Sequence, residues 1–245
     1  MLDARRRGGG ELPVFVLRGT LKTVSECPDR RIPMRLGPLT GLVAVVLIAV
    51  AFGVGGDTPG VGDSGPQVKL FFQEHDTQQA VSLYLLVLAG VFLVFFAGSL
   101  RHHLSESDRH GWLPQVAFAG GILAAAGFWV ASGVTLALLD ASDEQQVSGP
   151  ALQAMNAIGT DLFIPFVAGI GVMVLAAGLD TARRGTPLPR WLGWAGIALG
   201  VLMCIPWVGF FAFLVSGLWI IAASVLLARR PHVPDPARTP HMPTP

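Results

Sequence analysis

Few residues in this chain have the types and spacing to do chemistry. Asp161 is the one charged residue inside the apolar stretches as the sequence draws them, and Asn156 and Thr160 stand just before it. An acid within a membrane segment is costly and is often functional. Asp161, however, follows Thr160, precedes Pro165 by four residues, and falls in the first turn of an apolar helix expected to begin near residue 157. A carboxylate there can cap free backbone N–H groups, helped by the helix dipole. The cap is the favoured reading. The sharper alternative makes Asn156, Thr160 and Asp161 a polar pocket at the outer face.

The run Arg101-His102-His103-Leu104-Ser105-Glu106-Ser107-Asp108-Arg109-His110 is rich in metal-ligand types. Adjacent histidines seldom point at one metal, and two arginines oppose a cation, so a solvated basic loop is expected. Glu74, His75 and Asp76 meet a similar objection, because consecutive helical side chains diverge by about 100°. Ala131-Ser132-Gly133 is similar in part to the serine site of intramembrane proteases, but that chemistry needs a histidine base within reach. All six histidines (75, 102, 103, 110, 232 and 241) lie outside the expected spans. Their positions also argue against haem held by paired histidines. No phosphate-binding loop, dinucleotide glycine signature or zinc-protease helix is present. Cys27 and Cys204 are too far apart in environment to form a disulfide, one in a basic tail and the other mid-way through an apolar run. No cofactor and no metal is expected.

The elements that carry these residues are dominated by hydrocarbon. Of 245 residues 52% are hydrophobic and only 13% charged, with a mean hydropathy of +0.58. Soluble domains carry about a quarter charged residues, so lipid is the expected solvent. Apolar runs cover residues 36–55, 79–100, 114–139 and 157–179, then one long stretch, 191–228. A single helix of that last length would far exceed a hydrocarbon core of about 30 Å. Ile205-Pro206-Trp207-Val208-Gly209 offers the break, which predicts two spans over 189–206 and 209–228. Between the first two runs, residues 57–66 read as a turn, and the mixed stretch 68–74 as a short interfacial helix.

Charge fixes the expected orientation. On one set of alternate segments lie sixteen of the 17 Lys and Arg residues, and Lys69 alone lies on the other. The positive-inside rule then places both termini in the cytoplasm and requires an even number of spans. Residues 1–33, with Arg5, Arg6 and Arg7, read as a disordered basic tail, and 231–245, with six prolines, as a disordered tail. The arginines are explained by topology and anionic lipid rather than by nucleic acid. Met34 is a position at which translation can start, and Ala49-Val50-Ala51 fits a signal-cleavage site. The first run continues to about twenty residues, which favours an anchor.

Two stretches carry a resemblance: Arg35-Leu36-Gly37-Pro38-Leu39-Thr40-Gly41, and Leu188-Pro189-Arg190-Trp191-Leu192-Gly193-Trp194 followed by Phe210-Phe211-Ala212-Phe213. Over roughly residues 34–230 the chain resembles small bacterial six-helix membrane proteins grouped as a domain of unknown function. The resemblance implies six helices in a bacterial plasma membrane and carries no activity and no site residues.

The expected architecture is therefore an all-α polytopic bundle of six spans within 34–230. Gly37 with Gly41, Gly196 with Gly200, and Gly120, Gly121 and Ala124 are placed for close helix packing. The partners implied are the bilayer and a helix–helix partner or second copy. A non-enzymatic structural or accessory factor is the expected function. The alternative is a facilitative pathway or binding site for an apolar small molecule, with Ser132, Thr135, Asn156, Thr160 and Asp161 at its outer mouth. A membrane enzyme ranks last.

Overall fold

A computed structural model describes residues 36–107, 111–144, 147–185 and 188–229. The chain divides after Pro33, and every described residue belongs to the second unit. The two expected tails lie outside the described residues, as do Cys27, Asp108, Arg109, His110 and the last two histidines.

Among the described residues the chain forms eight α-helices and no strand: α1 (Thr40–Gly55), α2 (Gly65–Glu74), α3 (Asp76–Ser107), α4 (Leu113–Asp143), α5 (Gly149–Asp161), α6 (Phe163–Arg184), α7 (Arg190–Leu202) and α8 (Pro206–Ala228). Four helical segments are long and apolar enough to cross a membrane: Asp76–Glu106, Leu113–Asp143, Gly149–Arg184 and Val208–Ala228. Thr40–Gly55 and Arg190–Leu202 are apolar but shorter.

Local chemistry sets the boundaries. The backbone N–H and hydroxyl of Ser64 both donate to Gln67 Oε1, at 2.9 and 2.8 Å, and Pro66 sits in the first turn of α2, where no N–H is missed. Gly185 closes α6 with φ +67°, its N–H 2.7 Å from the Thr181 carbonyl. The long apolar stretch does break in two, but earlier than the sequence suggests. α7 stops at Leu202, and Pro206 opens α8 instead of ending α7, because a first-turn proline loses no hydrogen bond.

The fourth apolar run is also redrawn. It was expected as one helix over 157–179, but α5 ends at Asp161 and α6 begins at Phe163. Pro165 has no N–H to offer the Asp161 carbonyl, and its ring crowds that turn. At its far end α6 continues a turn past the expected limit, to Arg184.

Six of the helices close a ring. α3 packs on α1 and α4, α4 on α6, and α6 on α7, while α8 touches α7, α6 and α1. Small residues allow the tightest crossings. A Cβ on Gly120 of α4 would stand 2.5 Å from the Met173 backbone nitrogen, and one on Gly193 of α7 2.6 Å from that of Ala182. The core between them holds Phe96, Phe128, Ile170 and Met173, with Phe128 stacked on Phe166 at 4.6 Å. A second cluster, Val68, Phe72, Leu138 and Leu152, glues α2 and α5 onto the last turns of α4.

Candidate functional site

Each polar residue singled out from the sequence can now be placed. Asn156 is 5% exposed on α5, and its side-chain amide donates to the carbonyls of Pro59 and Gly60, both at 3.1 Å. It therefore latches the 56–64 loop to the bundle. Thr160 donates to the Asn156 carbonyl at 3.1 Å, one turn back along the same helix. Asp161 is exposed and ends α5. The expected cap is corrected here: Leu162 occupies the cap position of α6, with no side-chain hydrogen bond. The Pro165 break leaves Asp161 as the last residue of α5, one position outside the α6 cap.

The concavity at this end of the bundle, about 260 Å³, is lined by Asp57, Thr58, Pro59, Asp63, Gln67 and Phe71 rather than by the three expected residues. Ser132 and Thr135 lie on α4. Ser132 reaches across to the Leu83 carbonyl of α3 at 3.4 Å, and Thr135 bonds back to the Ala131 carbonyl at 3.1 Å. Ser132 thus joins two helices and has no histidine beside it among these bonds.

The histidines are held locally. His75 Nδ1 lies 3.0 Å from the Phe71 carbonyl oxygen, with its ring stacked on Phe71. Glu74, His75 and Asp76 fall at the α2–α3 junction and do not converge on one helix face. His103 Nδ1 lies 2.8 Å from the Ser99 carbonyl oxygen, and His102 faces Glu106 at 3.4 Å on an exposed surface. Among the described residues no group of three or more His, Cys, Asp or Glu could hold a metal ion.

Sequence reasoning missed a buried charge. Asp180, drawn at the start of a basic loop, is fully buried in the last turn of α6, 3.3 Å from Arg184. The signal was present. A helical period carried on from Phe166 through Ile170, Met173 and Ala177 lands on Asp180 and Thr181, and all of these are buried. Asp180 and Arg184 are also spaced as a helical i,i+4 pair.

Sequence reasoning also missed a crevice between α1, α6 and α8, of about 290 Å³. Val45, Ile48, Ala49 and Phe52 line one wall, Phe213, Leu214, Gly217 and Ile220 the other, and Ile170 the floor. Its single polar side chain, Ser216, donates to the Phe213 carbonyl at 2.6 Å. No linear pattern could have signalled it, since the walls come from opposite ends of the chain. Compared with protein-family models, with curated proteins and with solved structures, the chain matches none.

Proposed function

We propose that this chain is a six-span protein of a bacterial plasma membrane, with both termini cytoplasmic, acting without enzymatic chemistry as a structural or accessory factor. α1 and α7 are short for spans, and the turns at 36–39 and 203–205 extend them with apolar residues. Arg101, Arg183, Arg184, Arg190 and Arg229 all fall on the segments assigned to the cytoplasm, and Lys69 on those assigned outside.

The observation that carries the non-enzymatic reading is how the polar side chains between helices are used. Gln79 donates to the Gly55 carbonyl at 2.7 Å, Ser82 to Ala51 at 2.9 Å and Trp219 to Leu192 at 2.9 Å, beside the bonds of Ser132 and Asn156. Each bond joins two separate stretches of backbone, so these side chains serve to hold the bundle together. Liposomes carrying the purified chain are expected to accumulate lipophilic compounds no faster than empty ones. Saturable uptake above that background would overturn the reading. Orientation is tested separately: reporters at residues 62 and 146 should be active outside, and those at 106 and 185 inactive.

A second reading, a binding site for an apolar small molecule, is favoured by the crevice between α1, α6 and α8. It moves the site away from Asp161, and from Ser132, Thr135, Asn156 and Thr160, whose described bonds are to their own protein.

A further inference from the structure

We propose that the crevice between α1, α6 and α8 is a binding site for one hydrocarbon chain, which enters it sideways from the bilayer. The proposal rests on the second reading above and on membrane embedding, and it names the chemistry of the ligand.

The geometry of the seam comes first. α1 and α8 run antiparallel, with a contact toward each end of the stretch they share. At one, Gly41 lies against Ser224 and Phe96. At the other, the Phe52 and Phe213 rings meet edge to face with centroids 6.3 Å apart. On both helices these points lie eleven positions apart, roughly 16 Å of helix at 1.5 Å per residue. The crevice lies between the two contacts, where the ring of helices closes.

Chemistry selects the occupant. The lining is apolar apart from Ser216, which is 1% exposed and already bonded to the Phe213 carbonyl. A water molecule needs two or more polar partners to reside in a cavity, and an apolar cavity of about 150 Å³ stays dry and takes benzene. A dry space of about 290 Å³ is large enough for a length of alkyl chain. Among the described residues no charged side chain lines it, so a headgroup finds no partner inside and remains outside.

The way in is the membrane-facing surface. Val46 and Val50 on α1 and Leu214, Val215 and Leu218 on α8 are each between 46% and 67% exposed and flank the opening. Ile170, the floor, is 1% exposed and belongs to the core, so a chain in the crevice would reach deeper than lipid lying against the bundle.

Gly217 gives an independent indication. At Gly120, Gly193 and Gly200 a Cβ would fall within 2.5 to 2.6 Å of a neighbouring helix, so glycine there serves close packing. At Gly217 a Cβ would meet only Val45 Cγ1, at 3.3 Å. That contact is tight but meets only the end of one side chain rather than a backbone, and glycine there leaves the wall of the crevice open.

The test is photolabelling of the full-length protein in proteoliposomes. One arm uses a phospholipid with a diazirine in its acyl chain, the other a free fatty acid with the same group. Either probe should label Ile48, Ala49, Phe213 and Gly217, which line the crevice, above the exposed Phe95 and Phe211, which do not, with label that unlabelled probe competes away. The arm that labels identifies the source of the chain. Gly217→Trp is expected to lower crevice labelling at least tenfold while leaving Phe211 labelled, and Gly217→Ala to retain it. Should the tryptophan variant not assemble, Ala49→Phe blocks the opposite wall. Uniform labelling of all exposed faces, unchanged by these variants, would overturn the proposal and leave the membrane reading standing. Absence of label from every helix would overturn the membrane reading itself.

Discussion

Asn156 and Asp180 show two ways a polar side chain is accommodated in an apolar helix bundle. Asn156, itself buried, donates to two carbonyls of a partly exposed loop. Removing an ordinary hydrogen bond costs about 0.5–1.5 kcal/mol. Asn156→Ala is therefore expected to lower the thermal unfolding temperature in detergent and to speed hydrogen exchange across residues 57–63. Unchanged exchange there would deny the latch. Asp180 is fully buried and paired with Arg184, whose side chain is 27% exposed. Losing one partner of a buried ion pair costs about 3–5 kcal/mol, whereas replacing both with apolar groups is often neutral. Arg184→Met should be markedly less stable than the double variant Asp180→Leu/Arg184→Met. The opposite ranking would mean that the pair does not account for the carboxylate's tolerance of burial.

At the scale of elements, glycine marks where helices may not separate and where they may. Gly120 lies against the α6 backbone, and Gly133, on the same helix, has nothing within 4 Å of where a Cβ would stand. Gly120→Ala should destabilise by about 1–3 kcal/mol through overpacking, and Gly133→Ala should stabilise by about 0.5–1 kcal/mol through chain entropy. Thermal unfolding of the two variants decides it. The sequence shows both glycines but not this contrast, which depends on which face of α4 meets α6. Other features were legible. The apolar runs located the long helices, the mixed stretch 68–74 located α2, and Pro206 with Gly209 announced a break. The misplaced element was the start of α6. Asp161 and Pro165 were read as the opening of a helix, although a proline four residues on equally removes the donor for the carbonyl of residue 161.

For the whole molecule, hydrophobicity gives the helices but not the way their ring closes. α3, α4 and α6 are packed through small residues along their length, whereas α8 meets α1 more sparsely and leaves the crevice beside the seam. Long-range closure of this kind depends on side chains more than 150 residues apart, which no local pattern records. On the six-span reading proposed above, the short α7 has a consequence of its own. Its 13 residues supply roughly 20 Å of helix, against the hydrocarbon thickness of about 30 Å in an average bilayer. Thickness mismatch costs fractions of a kcal/mol per Å and sorts proteins between membranes. In vesicles with coexisting thick and thin domains, the fluorescently tagged chain should concentrate in the thin ones. Inserting one leucine-rich helical turn after Leu202 should weaken that preference, and equal partitioning of the natural chain would show that its flanking turns make up the missing length.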